Sequence, residues 1–147
     1  QYWIAKNAFL QSLLLLSKDK DVNIYWLRAY YILGYDVKNH SIFSKILMAV
    51  QDGKGTFPFN SGKNKYDFLD VKELARQIMY ASIQKKYTGI INVCSGQPVS
   101  LAERVEQFIN ENHLPISLEY GKFPDRPYDS PIVYGDNTVI QQIMKEG

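Results

Sequence analysis

The chain begins with QYWIAK, in which Tyr2 and Lys6 stand four residues apart. On a helix this spacing places both side chains on one face, one turn apart. A protonated lysine beside a phenol stabilises the tyrosinate and lowers a pKa that is otherwise about 10. Such a tyrosine works as a general acid or base near neutral pH. A chain with eleven tyrosines contains about one YxxxK by chance, so the pair is informative only in context.

Other residue types that often do chemistry lack suitable neighbours in the sequence. Cys94 lies in an apolar run with no histidine nearby, which is typical of an inert buried thiol. His40 and His113 do not have the paired spacing of metal ligands, and we expect both at the surface. Asp67 and Asp70 are interpreted as a strand-end hydrogen-bond acceptor and a helix N-cap. The sequence therefore predicts no metal site.

The composition limits the class of protein. A net charge of +2 over 147 residues, with scattered basic residues, does not favour a nucleic-acid partner. No apolar run approaches the roughly 18 residues of a membrane helix, so no membrane association is expected. The single cysteine excludes an internal disulfide framework and favours a cytoplasmic location.

Helical and strand-like segments alternate along the chain. In order, the patterns predict a helix over residues 2–17, one buried strand in VNIYWLRAYYILG, a loop over 35–40 and a helix in SIFSKILMAVQDG. An extended GTFPF follows, and then a helix capped by Asp70 with Glu73, a strand in GIINVCSG and a helix capped by Ser100 with Glu103. A final strand in ISLEY, a loop in GKFPDRPYDSP and a helix near Asn137 come last. This alternation predicts an α/β fold with parallel strands.

The first helix is unusual because its pattern is already running at Trp3, without a cap residue or a charged start. Its apolar side chains cover more than one stripe, so it is expected to be covered on several sides. We therefore interpret the chain as the C-terminal part of a longer protein. In isolation it would expose apolar helix and sheet-edge surface, which favours a homodimer or a self-associating fragment.

Five motifs in a fixed order give the YxxxK its context. The YxxxK helix is followed by LRAYYILG, GKNKYDFLDVKELA, GIINVCSGQPVSL and PDRPYDSP. This succession resembles the C-terminal half of the extended short-chain dehydrogenase/reductases, in particular the NAD-dependent epimerase/dehydratase family that modifies nucleotide sugars. In that family the landmarks read approximately YxxxK, LRxxNxYG, RDFxHVDDxA, GxxxNxGSG and RPGD.

The resemblance implies a Rossmann-type parallel sheet, of which this chain holds the C-terminal part, with an interleaved small α/β substrate-binding domain. Residues 1–35 and 67–98 would complete the nucleotide-binding sheet, and residues 36–66 and 99–147 would build the substrate-binding segments. NAD or NADP is the implied cofactor of the intact protein. The glycine-rich loop that cradles its phosphates is absent from this chain.

The resemblance also implies roles for individual residues. Tyr2 resembles the acid/base that exchanges a proton with the sugar, and Lys6 the residue that lowers its pKa and binds the nicotinamide ribose. Tyr30 falls among the positions that contact the cofactor. Arg126 resembles the arginine that binds the nucleotide diphosphate through a planar, bidentate guanidinium. Asp129 matches the carboxylate of RPGD.

This chain departs from the family pattern at several positions, two of which are expected substrate contacts. Tyr31 stands where the family has asparagine, and Tyr66 where it has arginine. Both remain predicted substrate contacts, although aromatic core packing is an equal alternative. Lys65 or Lys63 would compensate for the missing arginine only as a point charge. These changes indicate a divergent subgroup.

The implied activity is that of an NAD(P)-dependent nucleotide-sugar epimerase, reductase or dehydratase, with a nucleoside-diphosphate sugar as partner. Among these, the sequence slightly favours an epimerase or a 4-keto reductase, and the chain alone is expected to be inactive. Two other hypotheses stay open. One is a non-catalytic binding or scaffold module derived from the same fold, and the other is a fragment with no activity of its own.

Overall fold

The computed structural model describes residues 2–34 and 40–146. Residues 35–39 of the loop predicted over 35–40, and the predicted segment boundary at 35/36, lie outside these residues. The described helices are α1 (Tyr2–Ser17), α2 (Ile42–Gln51), α3 (Val71–Ile83), α4 (Leu101–Glu111) and α5 (Thr138–Glu146). The described strands are β1 (Tyr25–Ala29), β2 (Tyr31–Leu33), β3 (Thr56–Pro58), β4 (Lys65–Tyr66), β5 (Phe68–Asp70), β6 (Gly89–Val93), β7 (Val99–Ser100), β8 (Ser117–Glu119) and β9 (Ile132–Val133).

Local capping explains where the inner helices begin. The Asp70 carboxylate accepts a hydrogen bond from the Lys72 N–H at 2.8 Å and starts α3. The Ser100 hydroxyl accepts from the Glu103 N–H at 3.1 Å and starts α4. These contacts satisfy amides that a helix leaves without partners at its N-terminus. Both predicted N-caps are therefore confirmed.

The strands pair mainly in parallel, which confirms the α/β fold. β1 pairs with β6, β2 with β5 and β3 with β8, all in parallel. β4 lies between β9, which is parallel to it, and β7, which is antiparallel. Helices connect several of these strands, as parallel pairing requires.

The single strand predicted in VNIYWLRAYYILG is wrong. The run breaks at Tyr30, and β1 and β2 belong to different sheets. The side chains of β1 are only half-buried or exposed rather than buried on both faces. Apolar periodicity cannot locate such a break because aromatic residues continue on both sides of it. The prediction also missed β7 and β9, whose two residues are too few to give a pattern.

The side chains form two separate hydrophobic cores. The first lies between α2 and α4 and includes Leu33, Phe43, Ile46, Ala49, Phe59, Val105, Phe108, Ile109 and Ile116. The second lies between α3, α5 and β6 and includes Leu69, Leu74, Ala81, Ile91, Val93, Ile140 and Ile143. Helix α5 packs in the second core, together with elements of segment 67–98. The division into four segments stays a prediction.

Helix α1 is the least covered of the described helices. Leu10 is its one buried residue, whereas Trp3 is 70% and Leu15 is 74% exposed. The Phe9 ring lies 6.0 Å from the Trp26 ring of β1, centroid to centroid, so one face of the helix contacts the sheet. Self-association through its exposed face stays a prediction. No helix in residues 2–34 and 40–146 is long and apolar enough to cross a membrane.

Candidate active site

The first candidate cleft lies between α1 and β1. It has a volume of about 780 Å³ and is lined by Tyr2, Lys6, the residues of β1 and Tyr30. The Lys6 Nζ lies 4.5 Å from the centroid of the Tyr2 ring, so the two side chains share one face of the helix. The Tyr2 side chain is 74% exposed and faces open space in this chain. A phenol and an ammonium group thus meet at the same wall of a cleft.

Tyr30 stands at the end of β1, where the first cleft meets the interior. Burial raises the pKa of Tyr30, the nearby Cys94, Asp67 and Asp136 raise it further, and Arg28 opposes them. The backbone at Gly135 approaches this ring closely, since a methyl group added there would lie 2.6 Å from Tyr30 Cε2. The Tyr30 phenol, with its raised pKa, therefore stays neutral near neutral pH.

Asp67 lies between β4 and β5, and its side chain accepts hydrogen bonds from two other segments of the chain. Its side chain is fully buried. One carboxylate oxygen accepts from the Ser95 N–H at 2.8 Å and the Ser95 hydroxyl at 2.6 Å. The other accepts from the N–H groups of Gly96 at 2.9 Å and Gly135 at 3.2 Å. The predicted role of Asp67 as a hydrogen-bond acceptor is confirmed, but it joins three chain segments rather than one strand end.

A second, apolar pocket of about 300 Å³ lies beside β2 and β4. Tyr31, Tyr66, Phe68 and Phe43 contribute its aromatic walls. The Tyr31 and Tyr66 rings are 4.5 Å apart, centroid to centroid, and Phe68 is 5.9 Å from Tyr31. Burial raises the pKa of Tyr31, with smaller contributions from Tyr66 and Asp129. Three predicted substrate residues, Tyr31, Tyr66 and Asp129, are thus neighbours.

The two remaining predicted substrate residues are exposed cations. Arg126 lies in the turn closed by the Asp129 N–H, which donates to the Arg126 carbonyl at 3.1 Å. In the described part of the chain its guanidinium has no ion pair within 4.0 Å. Lys65 is held on β4, where its N–H donates to the Pro131 carbonyl at 2.9 Å. Both charges are therefore accessible to an anionic ligand.

The residues set aside on sequence grounds behave as expected. Cys94 is completely buried, and burial raises the pKa of its thiol to about 11. His40 and His113 are exposed. Among residues 2–34 and 40–146 there is no group of three His, Cys, Asp or Glu side chains that would hold a metal ion.

Sequence reasoning missed the contribution of Ser95 and Gly135 to the site. Ser95 lies in the CSG turn after β6, and Gly135 follows β9. Their importance comes from contacts with Asp67, which is 28 and 68 residues away in sequence. A turn signal marks the CSG segment, but no local pattern connects either residue to Asp67.

The architecture is that of a Rossmann-type α/β protein. Parallel strand pairs joined by helices, with clefts at their ends, are typical of Rossmann-type α/β proteins. The sequence profile of the NAD dependent epimerase/dehydratase family matches residues 1–94. The chain therefore belongs to this family, as the resemblance predicted.

A curated relative agrees with this assignment, and two solved structures share the fold. The dTDP-6-deoxy-L-talose 4-dehydrogenase (NAD(+)) of Aggregatibacter actinomycetemcomitans is 47% identical over 135 residues, which cover 91% of this chain and 50% of that protein. A UDP-N-acetylglucosamine 4-epimerase from Methanobrevibacter ruminantium aligns with a TM-score of 0.77 at 21% identity, over 94% of this chain and 45% of its own. The corresponding epimerase from Bacillus cereus gives 0.78 at 23%, over 98% and 49%. These two structures support the fold alone, and this chain spans about half of each relative.

Proposed function

We propose that this chain is the substrate-side part of an NAD(P)-dependent enzyme that oxidises or reduces C4 of a nucleoside-diphosphate deoxysugar. The observation that carries the proposal is the 47% identity to a dTDP-6-deoxy-L-talose 4-dehydrogenase. Of the activities that the sequence left open, this relative favours the 4-dehydrogenase or 4-keto reductase over the epimerase. The arrangement of Tyr2 and Lys6 supports the same chemistry.

Tyr2 is the proposed acid/base. In the oxidising direction its phenolate accepts the proton of the sugar hydroxyl as the C4–H bond breaks, and in the reducing direction the phenol returns that proton. The nicotinamide, when bound, accepts or supplies the hydride. Lys6, whose Nζ is 4.5 Å from the Tyr2 ring centroid, stabilises the phenolate by its charge.

The cleft fits the nicotinamide end of the cofactor in size and chemistry. Its volume of about 780 Å³ lies in the range of small-molecule sites. Lys6 offers N–H donors to ribose hydroxyls, and Tyr30 supplies a neutral phenol at the far end of β1. The phosphate-binding loop is not part of this chain, so we propose that these 147 residues alone bind NAD weakly and turn over no substrate.

The second pocket and its exposed cations are the proposed nucleotide-sugar side. The paired rings of Tyr31 and Tyr66 offer an apolar surface for a deoxysugar or a base, since a π-face accepts a C–H-rich ring. Arg126 is the proposed diphosphate contact, because its guanidinium is exposed and unpaired within the described residues. Lys65 on β4 is a second exposed cation, and the Asp129 N–H closes the turn that carries Arg126.

The alternative proposal is a non-catalytic binding module. It is supported by Tyr31 and Tyr66, which replace the amide and guanidinium expected at substrate-contact positions. The retained Tyr2–Lys6 pair supports catalysis instead. Both proposals predict that the intact protein binds a nucleotide sugar, but only the first predicts that it converts the sugar to product.

The test is turnover by the intact protein with dTDP-6-deoxy-L-talose and NAD, followed by the absorbance of reduced nicotinamide. Tyr2→Phe removes the proton-transferring hydroxyl, and we expect kcat to fall by about 10²–10⁴-fold with little change in the melting temperature. Tyr80→Phe makes the same chemical change on α3, away from both pockets, and is the matched control. Sugar binding without turnover in the wild type would favour the binding module. A Tyr2→Phe activity within a factor of a few would refute the assignment of Tyr2.

A further inference from the structure

We propose that Asp67 is a positioning residue, whose buried carboxylate holds the cofactor side and the substrate side of the site in a fixed relation. This inference rests on the proposed function. It assigns Asp67 no contact with substrate and no proton transfer.

The Asp67 carboxylate is an unusual buried anion. It has no exposed surface, and within the described residues no basic nitrogen lies within 4.0 Å of it. A buried charge without a counter-ion is costly unless hydrogen bonds compensate it. Four hydrogen bonds do so here, three of them from backbone N–H groups. Since bonds to an ionised acceptor are stronger than neutral ones, the donating segments are tightly fixed.

The donors belong to segments on different sheets. Ser95 and Gly96 lie in the turn after β6, which pairs with β1, and β1 leads to Tyr30. Gly135 follows β9, the partner of β4, which carries Tyr66. One carboxylate therefore connects the end of the β1–β6 pair, on the proposed cofactor side, to the sheet of β4 and β9, on the proposed substrate side.

The backbone of Asp67 adds two more ties. Its N–H donates to the Val133 carbonyl at 3.0 Å, and its carbonyl accepts from the Tyr31 N–H at 3.1 Å. Tyr31 is the first residue of β2 and a wall of the apolar pocket. The side chain and the backbone of Asp67 thus connect Tyr31 and the β9 end to the turn after β6.

The proposed reaction is sensitive to this relation. Hydride transfer requires the sugar carbon and the nicotinamide carbon about 3–3.5 Å apart, and a misplacement of about 1 Å costs about 10²-fold in rate. Asp67→Asn removes the charge and turns an N–H₂ group towards backbone N–H donors, so at least one donor pair repels. The turns at Ser95 and Gly135 are then no longer held by the same carboxylate. The residues that line the cofactor cleft and the substrate pocket are unchanged.

The experiment uses the intact protein and separates binding from turnover. For Asp67→Asn we expect kcat to fall by about 10²-fold, with dissociation constants for NAD and for dTDP, measured one at a time, within about 3-fold of the wild type. The shape of the kcat–pH profile should not change. Asp70→Asn is the matched control, because the Asp70 carboxylate is an exposed N-cap and asparagine caps equally well. Its kcat should equal that of the wild type.

Ser95→Ala is a second variant, in case Asp67→Asn does not fold. It removes the hydroxyl bond at 2.6 Å but leaves the carboxylate, and kcat should fall in the same direction by less. Three results would overturn the positioning role: an unchanged kcat with only a lower melting temperature, a parallel loss of both affinities, or the loss of one limb of the pH profile. A wild type without turnover would overturn the proposed function and this inference together, whereas an active wild type with unchanged kcat in the folded variants overturns this inference alone.

Discussion

Replacement of Gly135 by alanine is the sharpest test of the packing around Tyr30. A methyl group at this position would lie 2.5 Å from the Cys94 Sγ and 2.6 Å from Tyr30 Cε2. Non-bonded carbon atoms prefer separations of about 3.5–4.0 Å, so the neighbours must move by about 1 Å. Gly135 is not among the glycines with positive φ. The methyl group is therefore unfavourable because of its close contacts and not because of backbone strain.

The expected cost follows from overpacking. Extra methyl groups in a packed interior destabilise proteins by about 1–3 kcal/mol. We expect the upper part of this range, because Cys94 is fully buried and its Sγ has little room to move. The assay is urea unfolding of the intact protein, with the change in the free energy of unfolding taken from the shift of the midpoint at constant slope.

Two further variants make this prediction specific. Gly55→Ala is the matched control, since a methyl group there meets no atom within 4 Å and φ is not positive; its effect should stay within about 0.5 kcal/mol. Cys94→Ala removes the sulfur that the new methyl group meets. The double variant Cys94→Ala, Gly135→Ala should therefore be less destabilised than the sum of the single changes, by about 0.5–3 kcal/mol. Equal stability of Gly135→Ala and Gly55→Ala, or strict additivity in the double variant, would refute the reasoning.

Two more predictions concern titratable groups. Because burial raises the pKa of Cys94 to about 11, only about 0.1% of the thiol is ionised at pH 8; native protein should resist alkylation that goes to completion in denaturant, and equal rates would contradict this. Tyr120 donates to the Glu106 carboxylate, and Tyr120→Phe should cost about 0.5–1 kcal/mol at neutral pH. Burial and that bond raise the pKa of Tyr120 to about 12. The stability difference should therefore be complete below about pH 10 and shrink as the pH rises through 12, so a difference that disappears by pH 8 would be inconsistent.

Much of the helical structure could be predicted from the sequence. The span of α1 and the caps Asp70 and Ser100 agree with the structure, because capping and apolar spacing depend on residues within about four positions of one another. The expected reciprocal contact from Glu73 is not among the described hydrogen bonds of its side chain, which bind Arg76 and Gln77. A nearby guanidinium offers a charge-assisted partner that competes with a backbone amide.

The strand pairing was harder to predict than the helices. The aromatic run through Tyr30 gave no signal that β1 and β2 enter different sheets, and β7 and β9 are too short to carry a period. Tertiary packing determines which strands pair. A short stretch of sequence therefore indicates that a strand forms but not which strand lies beside it. The proximity of Tyr31, Tyr66 and Asp129 had the same origin, since β2 and β4 come from distant parts of the chain.

The sequence by itself determined the order of the helices, the family and the pairing of Tyr2 with Lys6 on one helical face. All three depend on residue types at short spacing or on motifs in a fixed order. Only the tertiary structure showed that Asp67 binds Ser95, Gly96 and Gly135, and that Gly135 leaves no room for a side chain beside Tyr30. These contacts join residues 28 to 68 positions apart. A buried carboxylate binds the donors that the tertiary fold brings to it, and those donors are not its neighbours in sequence.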